Sequence, residues 1–309
     1  MTRVSVLLPL YDGEAYIREA VDSVLAQTHR DFELLILDDG SRDGSLAIVQ
    51  DFAQRDPRVR VIARENRGLT ATLNELLAAA DGELVARMDA DDVCLPDRFA
   101  RQIAFLAEHP EVVCVGGDAE MIDEQGRFLT VLRLPEDDAE IQRQALVGYA
   151  PLFHPAAMIR RRVLVAIGGY RKEYWPAEDL DLWLRLGEAG ALANLPGPVL
   201  RYRLHADSIS ATNVARQRQA ARLSCEAAWQ RRGITNGRFE ASDIWRPTTD
   251  RHSQQRFMLR FGWWAFLNGQ RATALVYGWR AVRKRPLSVE SWRLVVCSLC
   301  KPMRPLTRG

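Results

Sequence analysis

Four short apolar runs recur in the first third of the chain, each ending in a polar loop: Val4-Ser5-Val6-Leu7-Leu8-Pro9-Leu10-Tyr11, residues 32–37, Val59-Arg60-Val61-Ile62 and residues 82–86. Helical patterns separate them. After Asp12-Gly13-Glu14, the apolar residues Ile17, Ala20, Val21, Val24 and Leu25 fall at i, i+3, i+4, i+7 and i+8, and later Leu73, Leu76, Leu77 and Ala80 share one face. Short strands alternating with helices predict an α/β fold, built on a mostly parallel sheet with right-handed crossovers. Every polar loop follows a strand, so all should gather at one sheet edge, where open α/β folds bind ligands.

The fourth run leads into Met88-Asp89-Ala90-Asp91-Asp92. Carboxylates this close repel one another and favour a cation, and at a ligand-binding edge the fitting cation is Mg²⁺ or Mn²⁺ shared with substrate phosphates. An acidic turn capping the helix that begins near Pro96 accounts for the same residues. Spacing alone leaves both readings open.

Company decides more. The ordered segments Leu8-Pro9-Leu10-Tyr11-Asp12-Gly13-Glu14, Leu37-Asp38-Asp39-Gly40-Ser41-Arg42-Asp43-Gly44-Ser45, Asn66-Arg67-Gly68-Leu69, Met88-Asp89-Ala90-Asp91-Asp92 and Ala177-Glu178-Asp179-Leu180-Asp181-Leu182-Trp183 span roughly two-thirds of the chain. This set resembles a family 2 glycosyltransferase, which implies the Rossmann-like GT-A fold and an inverting, metal-dependent transfer of sugar from a nucleotide-diphosphate donor. The resemblance implies that Pro9, Tyr11, Glu14 and Asp39 hold the nucleotide, with Asp39 accepting a hydrogen bond from the base, and that Arg67 lies beside it. Asp91 is implied as the ligand of Mn²⁺ or Mg²⁺, with Asp89 in support, and Asp179 as the general base. In the segment Arg201-Tyr202-Arg203-Leu204-His205, His205 is implied to reach the metal or pyrophosphate. Uridine is the commonest base among such relatives, with thymidine and guanosine also used. The implied acceptor is a hydroxyl of a glycan or lipid-linked molecule in cell-surface polysaccharide synthesis.

Each residue also has a plainer role. Asp39 with Gly40 forms an Asx-type turn, Arg67 is a solvated loop charge, and Glu178-Asp179 occupies the first turn of a helix, where the macrodipole favours acids. The His154-Pro155 pair reads equally as acceptor lining or as loop structure.

Charge divides the chain. Residues 1–210 carry 23 Lys+Arg against 35 Asp+Glu, and residues 211–309 carry 19 against 5, so an acidic catalytic domain is expected over 1–210 and a basic helical region over 211–309, joined near 211–215. The basic region holds six of the eight Trp, at 229, 245, 263, 264, 279 and 292, with helices expected over 256–268, 272–284 and 288–300. Arg260, Arg271, Arg280, Arg283 and Arg293 interrupt any run of the ~18 apolar residues that a spanning helix needs. Arg with Trp on amphipathic helices suits an anionic headgroup region, and a helical bundle with Trp in its core suits the pattern equally. Nucleic acid is not an expected partner, because no recognition motif accompanies the basic residues.

Five cysteines and an opening Met1-Thr2-Arg3 that runs straight into a core strand predict reduced thiols and a cytoplasmic protein, peripheral on the inner membrane face if the acceptor is lipid-linked. Two other functions fit the residues less well. A sugar nucleotidyltransferase needs a basic phosphate loop near the first strand, which Pro9-Leu10-Tyr11-Asp12-Gly13-Glu14 lacks, and a non-catalytic binder would have lost acids that are present here.

Overall fold

Four parallel strands set the frame of the computed structural model, which describes residues 2–205, 214–241 and 250–301. They are β1 (Val4–Leu10), β2 (Phe32–Asp38), β3 (Val59–Ala63) and β4 (Leu84–Arg87), adjacent in the order β3-β2-β1-β4 and connected by α1 (Ile17–Leu25), α2 (Ser45–Arg55) and α3 (Leu69–Ala79). The chain continues through β5 (Val93–Cys94), α4 (Arg98–Glu108), β6 (Val112–Asp123), β7 (Phe128–Leu132), α5 (Asp138–Leu146), β8 (Met158–Arg160), α6 (Arg161–Ala166), α7 (Glu178–Ala189), β9 (Ala191–Leu204) and α8 (Val214–Arg232). Beyond β4 the sheet runs β8-β6-β9-β5, with β7 beside β6, and the β4–β8, β8–β6 and β9–β5 pairings are antiparallel. The parallel half is the half that the alternating pattern predicts.

Period-two alternation divides the core. Val4, Val6, Leu8 and Leu10 of β1 pack with Ile17, Val21 and Val24 of α1 and with Val49 and Phe52 of α2. Leu7, with Leu35 and Leu37, packs on the other face with Leu73, Leu76 and Leu77 of α3 and with Leu182, Trp183 and Leu186 of α7. A slip of one residue would exchange the two layers and misplace every contact with the flanking helices, so the register is tightly held.

The chain forms two compact units. The first comprises Met1–Ala119, Arg133–Tyr202 and Ala215–Ala241, and the second Glu120–Leu132, Arg203–Val214 and Ser242–Gly309. Helix α8 falls in the first, although composition grouped it with the basic tail. Its small residues Ala220, Ala221, Cys225 and Ala228 let it lie close against Ala145 of α5 and against Leu180 and Leu184 of α7. Trp229 Nε1 donates to the Leu146 carbonyl at 3.0 Å, and Arg231 pairs with Glu188 at 2.8 Å. The expected join at 211–215 falls largely on residues 206–213, which with Trp245 lie outside the described residues.

In the second unit, α9 (Arg251–Leu267), α10 (Arg271–Lys284) and α11 (Val289–Cys300) accompany the β6–β7 hairpin. Tyr277 donates to the buried Asp123 Oδ2 at 3.1 Å, Arg280 pairs with Glu124 at 3.1 Å, and Asn268 donates to Thr130 Oγ1 at 3.0 Å. Helix α9 begins five residues before the expected start at 256, because the Asp250 carboxylate caps it by accepting from Ser253 N at 2.8 Å. No helix among the described residues is long and apolar enough to cross a membrane.

Candidate active site

Strand register brings the predicted loops together. Leu10 pairs with Asp38 and Asp38 with Ala63, so the segments after β1, β2 and β3 leave the sheet at one level. The first two are laced by hydrogen bonds. Asp12, at φ 46°, accepts from Arg42 N at 2.7 Å and from Arg42 Nη2 at 2.6 Å. Gly13 N donates to Ser45 Oγ at 2.8 Å, Glu14 N to Asp43 Oδ2 at 2.9 Å, and Gly44 N to the Glu14 carboxylate at 2.9 Å. The amide and guanidinium of Arg42 hold the Asp12 carboxyl below its ordinary value. Pro9 is buried in β1 opposite Leu37, whereas Tyr11 is exposed, with the Arg42 guanidinium 5.6 Å from its ring centroid.

Asp39 is the hinge of the next loop. Its buried carboxylate accepts from Arg67 N at 2.8 Å through Oδ1 and from Gly68 N at 2.9 Å through Oδ2, and it is paired with the Arg64 guanidinium. Arg64 also donates to Glu75 at 2.7 Å and to Thr72 Oγ1 at 3.0 Å. The Arg67 side chain is 65% exposed and pairs with Glu75 at 3.2 Å, while its contact with Asp39 is through the backbone. Arg64 is a residue that motif reading missed, and its only signal is a cation immediately after a strand end. Gly40 is required here: at φ 79°, a Cβ would come within 2.9 Å of Asn66 N.

Carboxylate oxygens of Asp89, Asp91 and Asp92 lie within 4.8 Å of one another. Hard oxygen donors converging at that spacing fit Mg²⁺ or Mn²⁺. Beneath them Arg87, the last residue of β4 and wholly buried, pairs with Asp89.

A second pair of acids comes from the start of α7. Glu178 is buried and Asp179 half-buried, with Asp179 Oδ1 accepting from Leu180 N at 2.8 Å. Burial raises both carboxyls above their ordinary values. The charge of Asp179 adds to the rise at Glu178, and Asp89 adds to both, while Arg87 opposes it at both. Asp89, Arg87, Glu178 and Asp179 therefore share one electrostatic field. Asp181, in the same helical turn, instead pairs with the buried Arg185 at 2.7 Å and fixes the helix. Behind them His154 Nε2 and Tyr170 OH are 3.0 Å apart, and burial with Arg87 nearby keeps the imidazole neutral. Tyr170 is anchored by Asn74, with 2.8 Å hydrogen bonds in both directions. His205 follows the last residue of β9 and belongs to the second unit.

Comparison with known proteins agrees with this fold. The chain is similar to the amylovoran biosynthesis glycosyltransferase AmsE of Erwinia amylovora, at 34% identity over 210 residues, 67% of this chain and 78% of that protein. It is also similar to the O-antigen biosynthesis glycosyltransferase WbnJ of Escherichia coli, at 30% identity over 238 residues, 75% of this chain and 91% of that one. Among solved structures, S. aureus TarS 1-349 in complex with UDP-GlcNAc matches 96% of the chain and 84% of its own, with a TM-score of 0.60 at 19% identity. The mannosyltransferase PcManGT from Pyrobaculum calidifontis, in complex with GDP-Man and Mn²⁺, matches 96% and 79%, with a TM-score of 0.57 at 20% identity. At these identities the likeness is one of fold, and the fold is GT-A. Residues 5–168, more than half of the sequence, match the model of glycosyl transferase family 2, and the chain belongs to that family.

Proposed function

We propose that this glycosyltransferase moves a sugar, with inversion, from a nucleotide-diphosphate donor to a hydroxyl of a glycan or lipid-linked acceptor in polysaccharide synthesis. Relatives named for amylovoran and O-antigen biosynthesis support the acceptor class, and structural neighbours bound to UDP-GlcNAc and GDP-Man support the donor class. A uridine nucleotide is the favoured donor base.

In this reading Pro9, Tyr11 and Asp39 hold the nucleoside, with Glu14 and Arg67 at the edge of the same pocket. Asp91 and Asp89 would hold Mn²⁺ or Mg²⁺, which when bound neutralises pyrophosphate and favours departure of the nucleoside diphosphate. Asp179 takes the acceptor's proton as its oxygen attacks the anomeric carbon opposite the leaving group. Burial raises its basicity toward the value a general base needs. Arg87 keeps Asp89, after β4, and the carboxylates of α7 from excluding one another. The enzyme works in the cytoplasm, on the inner membrane face where its acceptor is lipid-linked.

The observation that carries this reading is the buried Arg87, which pairs with Asp89 and acts on Asp179 from the same position. The test is incubation of the protein with UDP-, GDP- and dTDP-sugars with and without Mn²⁺. Metal-dependent release of nucleoside diphosphate from one of them is expected; no release and no thermal stabilisation by any would contradict the proposal.

A further inference from the structure

We propose that the outward face of α11, with the adjoining tryptophan of α10, docks the enzyme on an anionic phospholipid bilayer. The inference rests on the membrane-face part of the reading above and assigns it a surface. Helix α11 is apolar on two sides. Leu294, Val295 and Cys297 are buried within the second unit, while Val289, Trp292, Val296 and Leu299, at i, i+3, i+7 and i+10, form a second stripe that is exposed. A surface helix normally carries one apolar stripe, so the second one here lacks a cover among the described residues. The stripe extends at both ends of the preceding turn. Leu287 is 97% exposed, and Trp279 of α10 meets Trp292 edge to face at 5.6 Å. Trp292 Nε1 donates to the Pro286 carbonyl at 2.8 Å, so the ring pair offers apolar surface with its polar atom satisfied.

Charge selects the occupant. Residues 271–301 contain Arg271, Arg280, Arg283, Lys284, Arg285, Arg293 and Lys301 against Glu290 alone. A second copy on this face would oppose like charge to like charge, whereas an anionic bilayer supplies complementary charge and an apolar layer at the depth of a tryptophan ring. Beside the stripe, Arg256 and Arg293 line a cleft of about 430 Å³ together with Leu259, Trp263 and Glu290. Two guanidiniums in one cleft suit a lipid phosphate. At 12 residues α11 is too short to span, so it lies in the plane of the interface.

The test is flotation of the full-length protein with phosphatidylcholine vesicles, either pure or containing phosphatidylglycerol, at low and high salt. The wild type should float with the anionic vesicles alone, and about tenfold less at high salt. Val296→Glu with Leu299→Glu should lose at least about tenfold in bound fraction, and Arg256→Gln with Arg293→Gln a smaller part, with melting temperature and donor hydrolysis unchanged. If the wild type and both double variants float equally, the enzyme reaches the membrane by another surface and this assignment falls alone. No flotation of the wild type removes both the surface and the membrane-face reading. A non-floating wild-type dimer that Val296→Glu with Leu299→Glu makes monomeric assigns the face to a second copy and overturns the proposal.

Discussion

Arg87 pairs with Asp89 from a wholly buried position, while the Asp89 carboxylate is itself partly open to solvent. One cation thus pairs with an acid of the loop after β4 and acts on those at the start of α7. Removing one partner of such a pair leaves the other groups uncompensated, and Arg87→Met should cost about 3–5 kcal/mol in urea-induced unfolding. A loss within about 0.5 kcal/mol, as for an ordinary surface position, would show that the pairing carries no weight.

Asp91→Ala should separate metal from nucleotide recognition. In the wild type a nucleoside diphosphate with Mn²⁺, at 100 times its Kd, should stabilise the fold by about 2.7 kcal/mol through mass action. The variant should lose the Mn²⁺-dependent share of the thermal shift while its melting temperature without ligand holds. An unchanged shift would take Asp91 out of the metal site.

Arg64 and Arg67, three residues apart, make different predictions for stability. Arg64→Ala leaves the Asp39 carboxylate with backbone donors alone and should lower both nucleotide affinity and stability, the latter by about 2 kcal/mol. Arg67→Ala keeps the amide that contacts Asp39, so nucleotide affinity falls while stability stays within about 0.5 kcal/mol. Parallel titration and denaturation of both variants checks the pair. Equal stability losses would contradict the assignment.

The raised carboxyls at Glu178 and Asp179 give activity a pH signature. A general base acts deprotonated, so the acid limb of kcat/KM should lie above the usual carboxylate range near about 4. The sign for stability is the reverse of the usual carboxylate case. A folded-state pKa above the unfolded one contributes stability at acid pH that is lost as pH rises through the folded-state value. Because Arg87 opposes the rise, its replacement should move the acid limb further up in any variant that folds. A limb at or below about 4 in the wild type would exclude these acids as the base.

Much of the first unit was legible because its elements announce themselves locally. β1 and β2 are apolar runs ended by Tyr11-Asp12-Gly13 and Asp39-Gly40, and α1 repeats Ile17, Ala20, Val21 and Val24 at helical spacing. The antiparallel half was not legible. β5 has two residues and β8 three, too few to show a period, and their partners β9 and β4 are far away in sequence. Arg64 escaped for a similar reason, since its pairing with Asp39 spans 25 residues and follows from strand register rather than from any local motif. Arg87 carried a faint mark, a cation closing the apolar run Leu84-Val85-Ala86, where burial demands a counter-charge. The acids themselves stood out because Asp89, Asp91 and Asp92 are crowded in sequence as well as in space.

The measurement that bears most directly on the account is the paired binding and turnover of Asp179→Asn with the identified donor and Mn²⁺. The variant keeps the shape of the helix start but cannot take a proton, so nucleotide Kd should match the wild type while kcat falls by about 10²–10⁴. Wild-type turnover with intact binding would contradict the assignment of Asp179 as the base, and with it the view that the acids after β4 and those of α7 form one catalytic site.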